Sequence, residues 1–210
     1  MEVRKPIIQK SLLKEIKFLN NDPSFDIENS ILKEGSFENS VNEEIRFNTV
    51  IVENILFGSA QIDDVVMTDS ILSKCDFTGA ILKTVALERV EIEKSRIQGT
   101  QFMSASFKDV VIKNSKCLHS SFRFSKMKNV VFVDCDLNET DFRGSSIENV
   151  IFQNCSLKEA IFSSTKLTNI NLATSDIEGI KINKESFGKV IVNTSQALYL
   201  SSIFGITIED

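Results

Sequence analysis

Few side chains in this sequence could carry out chemistry. His119 is the only histidine, so a Ser–His–Asp triad would have to use it. Four cysteines lack any Cys-x-x-Cys spacing, and there is no second histidine to complete a zinc site. Glycine-rich phosphate-binding motifs are absent from the sequence. We therefore predict no catalytic residue, no metal and no cofactor.

Carboxylates are the other groups with chemical potential. Some occur as neighbours, Asp63-Asp64 and Glu43-Glu44, and others form a run from Asp134 to Asp141. A solvated acidic surface explains them best, and a loosely held cation is the alternative. The predicted acidic surface comprises Asp63, Asp64, Asp69, Asp134, Asp136 and Asp141.

A five-residue period must position all of these groups. From Ile27 to Phe187 every fifth residue is apolar at 32 of 33 positions, and only Asn42 breaks the series. The residue two places before each is usually small. Neither a helix nor a half-buried strand has this period, so the chain must turn a corner every five residues. This register places His119 outside and all four cysteines inside, namely Cys75, Cys117, Cys135 and Cys155.

Several segments match a known repeat. Cys75-Asp76-Phe77-Thr78-Gly79 and Thr140-Asp141-Phe142-Arg143-Gly144 carry its order of small, acidic or amide, large apolar, polar and variable residues. The chain thus resembles the pentapeptide-repeat family. The resemblance implies an all-β solenoid, a right-handed quadrilateral β-helix of about eight coils over residues 25–192. Because four pentapeptides make one coil, Phe102, Phe122, Phe142 and Phe162 should stack.

One outward column of the solenoid is aliphatic. We weigh three interpretations: β propensity alone, cover by an N-terminal arm, and a partner groove. The arm, residues 1–24, offers apolar side chains for such cover: Ile7, Ile8, Leu12, Leu13, Ile16, Phe18 and Leu19. The predicted interface is Ile31, Ile51, Ile71, Val111, Val131, Ile151 and Ile191, and Glu91 and Asn171 interrupt it.

Residues 193–210 form the C-terminal end. Asn193 and Gln196 fit a capping box that starts a short helix, Gly205 suits its end, and Ile206-Thr207-Ile208 is predicted as a strand. This apolar tail should cap the last coil, pair with a second copy, or both. Gyrase-protecting relatives dimerise through such an extension, so the resemblance implies a homodimer through Ala197, Leu198, Leu200, Ile203 and Phe204.

Charge alternates along the chain. Residues 26–82 carry 11 acids against 3 bases, residues 83–128 carry 4 against 10, and residues 129–180 carry 8 against 3. Gyrase-protecting relatives mimic the negative charge of DNA, which a basic central band would interrupt. That band is a weak nucleic-acid site, because Phe124 is the one aromatic residue that could be exposed within it.

The sequence therefore favours a non-enzymatic rod that binds a protein partner. The alternative is a DNA mimic that binds DNA gyrase or another type II topoisomerase and protects it from fluoroquinolones. Without a signal peptide or a long apolar segment, we expect a cytoplasmic, bacterial protein with no membrane partner.

Overall fold

The computed structural model describes residues 2–17 and 24–209, which form one parallel β-solenoid. A short C-terminal helix, α1, spans Thr194–Ile203, and two 3-10 helices span Lys10–Leu12 and Lys184–Ser186. The strands are β1 (Lys14–Ile16), β2 (Ser24–Ser36), β3 (Val41–Leu56), β4 (Gln61–Ser73), β5 (Ile81–Glu93), β6 (Gln101–Phe102), β7 (Ser106–Lys113), β8 (Lys126–Val133), β9 (Ser146–Gln153), β10 (Lys166–Asn171) and β11 (Val190–Ile191).

Each turn of the solenoid takes twenty residues. Strands pair in the order β1-β2-β3-β4-β5-β7-β8-β9-β10-β11, with β6 on β5, and every pair is parallel. From β2 onward, paired residues differ by twenty, as in Ser30 with Val50 and Ile170 with Val190. Following this register from Ser30 to Val190 gives nine rungs, close to the eight coils predicted from the five-residue period.

Phenylalanine columns fill the interior. Phe37, Phe57 and Phe77 stack with ring centroids 4.9 and 4.5 Å apart. The predicted column is confirmed on the next face of the solenoid, with centroid separations of 4.8, 5.3 and 4.7 Å along Phe102, Phe122, Phe142 and Phe162. Stacked rings bury large apolar area without leaving a polar group to satisfy.

The two columns leave a seam between them. At its large inward positions the intervening coil presents only aliphatic residues, Leu82, Leu87, Ile92 and Ile97, and all four are buried. A cavity of about 20 Å³ lies beside them, bounded by Phe77 below and Phe102 above. We call this coil, residues 80–99, the seam.

Corners in the C-terminal half adopt a left-handed backbone. Every fifth residue from Lys94 to Asn169 has a φ between 49° and 64°, except Gly144 at 70°. Asparagine, glycine and aspartate tolerate this conformation best, and asparagine is frequent at these corners. β7, β8 and β9 have eight residues each and contain one such corner, at Asp109, Asn129 and Asn149.

One corner per turn is missing in the N-terminal half. Glu44, Asp64 and Thr84 lie inside β3, β4 and β5, which run for 16, 13 and 13 residues. The inward residues that follow these positions are the β-branched Ile45, Val65 and Val85, which favour extended backbone. In the other half the equivalent position holds a small residue, and the Ser145 hydroxyl donates a 2.6 Å bond to the Phe122 carbonyl one coil below.

The repeat ends near residue 183. Glu185 falls on an inward position of the five-residue register, but a 3-10 turn over Lys184–Ser186 buries Ser186 instead and leaves Glu185 exposed. Burying an unpaired carboxylate would cost far more than this local shift. The displaced Phe187 is only half-buried and packs edge-on against Phe204 at 5.4 Å.

Both ends of the chain close onto the solenoid. The arm contributes β1, which pairs with β2 through Lys14–Ser30 and Ile16–Leu32. At the other end, α1 begins with the predicted capping box between Asn193 and Gln196. The predicted strand at residues 206–208 is wrong, because these residues have no strand partner and lie exposed beyond Gly205. Phe18 and Leu19 lie outside the described residues.

Candidate interaction surfaces

The reactive side chains lie where the register predicts. His119 is exposed at a corner, and its Nδ1 is 3.5 Å from Glu139. All four cysteines are buried as free thiols. Burial raises the pKa of the Cys75 thiol to about 11, so this sulfur is a poor nucleophile. Across residues 2–17 and 24–209, no three His, Cys, Asp or Glu side chains converge as metal ligands do.

Half of the six carboxylates predicted as an acidic surface form ion pairs with bases. Asp63 meets Lys83 at 2.6 Å, and Asp141 meets Arg143 at 2.6 Å and Arg123 at 3.8 Å. Asp69 is buried and bonded to Arg89, so its inclusion in an exposed surface is wrong. Asp134 and Asp64 are exposed, and Asp136 is half-buried.

Acidic and basic residues on either side of a boundary between two charge bands form ion pairs across adjacent coils. Acids of the first band face bases twenty residues later, as in Asp76 with Arg96 at 3.1 Å. At the second boundary the order reverses, and Lys128 meets Glu148 at 3.2 Å. Residues twenty apart are neighbours on adjacent rungs, so the register itself produces this pairing. The central basic band is therefore partly neutralised from both sides.

The N-terminal arm crosses five rungs of the solenoid. Arg4 donates to the Asp109 carboxylate at 2.8 and 2.5 Å and lies 3.5 Å from Glu88. Farther along the arm, the Ile7 amide donates to Asp69 at 2.9 Å, and Ile16 pairs with Leu32. The arm thus runs from the rung of Asp109 to that of Leu32. Sequence reasoning missed the contacts of Arg4, because no periodic signal links residues 105 positions apart.

Burial and hydrogen bonds shift the acids beneath the arm. Bonds from Arg89 hold the pKa of Asp69 below its usual value, and the Ile7 amide adds to this effect although burial opposes it. Burial alone would raise the pKa of Asp109, but bonds from Arg4 and Asn129 outweigh it and leave this pKa lowered.

The aliphatic column is divided by the arm. Ile51 is buried although it points outward, while Ile31, Ile71 and Val111 are half-buried on the rungs that the arm crosses. Ile51 is therefore not available to a partner. Above the arm, Val131 and Ile151 are half-buried and Ile191 is 42% exposed. Of the predicted interface, this upper column is the part farthest from the arm.

The C-terminal helix closes the last coil. Its Gln196 side chain donates to the carbonyls of Leu172 and Ser175, and the Tyr199 hydroxyl accepts from the Gly179 amide. Leu200 is buried beneath the helix. Among the residues proposed for dimerisation, Leu200 and Phe204 thus contribute to the cap, whereas Ala197, Leu198 and Ile203 are exposed.

The described residues, 2–17 and 24–209, contain no helix that is long and apolar enough to cross a membrane.

Comparisons with known proteins agree with this architecture. The chain is a parallel β-solenoid. Residues 105–187 match the model of a pentapeptide repeat region. Residues 10–107 match the model of the SV2A/B/C luminal domain. No curated protein matches the sequence.

Solved structures with similar solenoids include pentapeptide-repeat proteins. A trypsin-treated variant of QnrB1, a plasmid-mediated fluoroquinolone resistance protein, is 20% identical, with a TM-score of 0.43 over 95% of this chain and 98% of that chain. Rfr23 from the cyanobacterium Cyanothece 51142 is 12% identical, with a TM-score of 0.42 over 59% and 91%. HetL from the cyanobacterium Nostoc sp. strain PCC 7120 is 13% identical, with a TM-score of 0.32 over 75% and 84%.

Proposed function

We propose that this chain is a non-enzymatic rod that binds protein through its C-terminal end, with a second copy of itself as the partner. One observation carries the proposal. Ten large hydrophobic side chains are exposed in residues 2–17 and 24–209, and five of them lie in the last twenty residues: Ile191, Leu198, Ile203, Ile206 and Ile208. Exposed apolar groups gathered in one region are typical of an interface.

The interior supports a binding role rather than a catalytic one. Stacked rings and aliphatic side chains fill the solenoid, and the cavity at the seam has only about 20 Å³, barely enough for one water molecule. The accessible chemistry is therefore that of the outer surface. A rigid rod with an apolar end can align two copies end to end, as the predicted C-terminal homodimer requires.

Replacing Leu198 and Ile206 with lysine tests the proposal. Both side chains are more than half exposed, so the change should leave the fold intact while placing charge in the interface. Sedimentation velocity should show a dimer for the wild type and a monomer for the double variant. Ile7→Lys is the matched control, since Ile7 is 70% exposed on the rung of Asp69, six rungs below Val190, and its substitution should not affect assembly. A monomeric wild type at every concentration would contradict the proposal.

DNA mimicry toward gyrase is the second candidate. Its support is the acidity of the N-terminal coils, where Asp26, Glu28, Glu34 and Glu43 make no ion pair within the described residues. These acids are spread around the coils, and the basic central band interrupts any acidic face. We therefore expect no inhibition of gyrase supercoiling at micromolar protein. Inhibition, or protection of gyrase from a fluoroquinolone, would favour the mimic.

A further inference from the structure

An exposed aromatic side chain occupies a strained corner in the middle of the rod. Phe124 has a φ of 58°, and its side chain is 66% exposed. Within residues 2–17 and 24–209, the other left-handed corners carry glycine, small polar or charged residues and one histidine, so Phe124 is the only large apolar residue at such a corner there. A bulky side chain in this conformation is a genuine outlier, and such strain collects at functional sites.

The neighbouring coil supports the ring from one side. A Cβ added to Gly144 would lie 2.6 Å from the Phe124 ring, so only a glycine leaves room for the ring to rest there. The Arg123 guanidinium carbon also lies over the ring, 5.3 Å from its centroid. The ring is thus held in one orientation while most of its surface faces solvent. Such preorganised aromatic side chains lose little entropy on binding.

A depression adjoins this ring. It has a volume of about 320 Å³ and is lined by Gln101, Met103, Ser121 and Arg123 together with Phe124. Met103 is 49% exposed. Phe124 and Met103 therefore form an apolar floor and wall that could receive one large apolar side chain. We call Met103, Arg123, Phe124 and Lys126 the Phe124 surface.

The charges around the Phe124 surface are mostly positive. The two solenoid faces that meet at this corner carry five bases against two acids: Lys108, Arg123, Lys126, Lys128 and Arg143, with Asp141 and Glu148. Arg123 and Arg143 share Asp141, Lys128 pairs with Glu148, and Lys108 pairs with Glu88 of the coil below at 3.1 Å. Lys126 is exposed and makes no ion pair in the described part of the chain. The charge left over at this corner favours an acidic partner.

We infer that the Phe124 surface binds an acidic peptide segment of a partner protein and receives a large apolar side chain of that segment. A single-stranded nucleic acid fits less well. It requires successive stacking platforms, but the corners directly below and above Phe124 are Ser104 and Gly144. This site is distinct from the C-terminal end, so each can fail without the other.

Selection from a library of random dodecapeptides displayed on phage tests the inference. With the wild-type protein as bait, we expect enriched sequences in which acidic residues flank one aromatic residue or leucine. Synthetic peptides of the enriched class should bind Phe124→Asn at least about tenfold more weakly, as expected for loss of an aromatic hot spot. Asparagine suits a left-handed corner, so this variant should fold.

Two further variants separate the contributions. Lys126→Gln removes an unpaired charge, so it should weaken binding severalfold and reduce the salt dependence of the affinity. His119→Asn is the matched control, because it replaces an exposed ring at the neighbouring corner, where φ is 57°. Binding to this control should equal that of the wild type.

Several outcomes would overturn the inference. These are the absence of any enriched peptide, enrichment of basic or uncharged peptides, and binding that Phe124→Asn does not weaken. Loss of the cooperative unfolding transition in Phe124→Asn would show that the ring is structural instead. Tighter, Phe124-dependent binding of an oligo-dT strand than of any acidic peptide would assign the surface to nucleic acid.

Discussion

The two halves of the solenoid share one repeat but turn their corners differently. Residues 24–93 form strands of 13 to 16 residues that pass through one corner per turn in extended conformation. Residues 106–153 form strands of eight residues, and the equivalent corner, at Ser104, Phe124 and Gly144, is left-handed and lies outside the strands. The two family models meet at residues 105–107, where this change occurs. A constant spacing of inward residues thus permits two backbone paths, and the size of one inward residue per turn selects between them.

Aromatic packing differs between the halves as well. Phe57 stacks between two rings, whereas Phe122 stacks between two rings and also meets Phe107 and Phe132 edge-on at 5.6 and 6.3 Å. Both side chains are fully buried.

The largest effect is expected from truncating these rings. Phe122→Ala and Phe57→Ala should each lower the free energy of unfolding by about 3–5 kcal/mol, with Phe122→Ala at the upper end because it loses four ring contacts. Urea titrations followed by circular dichroism would measure both. If both variants lose the same free energy of unfolding, the edge-on contacts add no stability beyond that of burying the ring. The difference in aromatic packing between the halves would then not affect stability.

The arm supports only the lower part of the rod, and Arg4→Ala should reveal this. The Asp109 side chain is 1% exposed, so removing its cation leaves a buried carboxylate with Asn129 as a neutral partner. We expect a loss of about 2 kcal/mol in the free energy of unfolding, since Arg4 is half exposed and water can partly replace it. Lys33→Ala, which removes a solvent-exposed pair with Glu15, should lower the free energy of unfolding far less.

Acid should weaken the same region. The pKa values of Asp69 and Asp109 are lowered in the folded protein, so their stabilisation is complete above the ordinary carboxyl pKa of about 4. It is lost as the pH falls below that value through the lowered folded pKa. Arg4→Ala should therefore show a shallower loss of stability between pH 5 and pH 2 than the wild type. Parallel curves would mean that Asp109 does not depend on Arg4.

The smallest change in the free energy of unfolding is expected when valine replaces a corner residue. Asn154 has a φ of 52°, whereas Asp64 lies inside β4. Asn154→Val should cost about 1–2 kcal/mol, because a β-branched residue resists the left-handed conformation. Asp64→Val should cost nothing measurable, since valine favours an extended strand. Thermal unfolding of the two variants gives the comparison, and a similar cost at both sites would refute the two-path description.

Features that repeat were predictable, whereas features that occur once were not. The period of five predicted the stacking of Phe102 to Phe162 and the inward cysteines, because each coil reads the same local pattern. The capping box at Asn193 was predictable because its signal is local. The Arg4–Asp109 pair was not, since it depends on where a non-repeating arm meets the surface. Ile206–Ile208 resembled a strand but found no neighbour to pair with.

The seam gives the rod a point of weakness that compression would expose. Hydrostatic pressure favours the conformation with the smaller total volume. A protein that opens lets water fill its internal voids, so pressure favours opening where such a void lies. Residues 80–99 border the cavity beside Phe77 and Phe102, where the aromatic column changes face. Under several kilobar, the amide resonances of this coil should be among the first to broaden, and the two halves would then behave as separate elastic segments joined at a compliant joint.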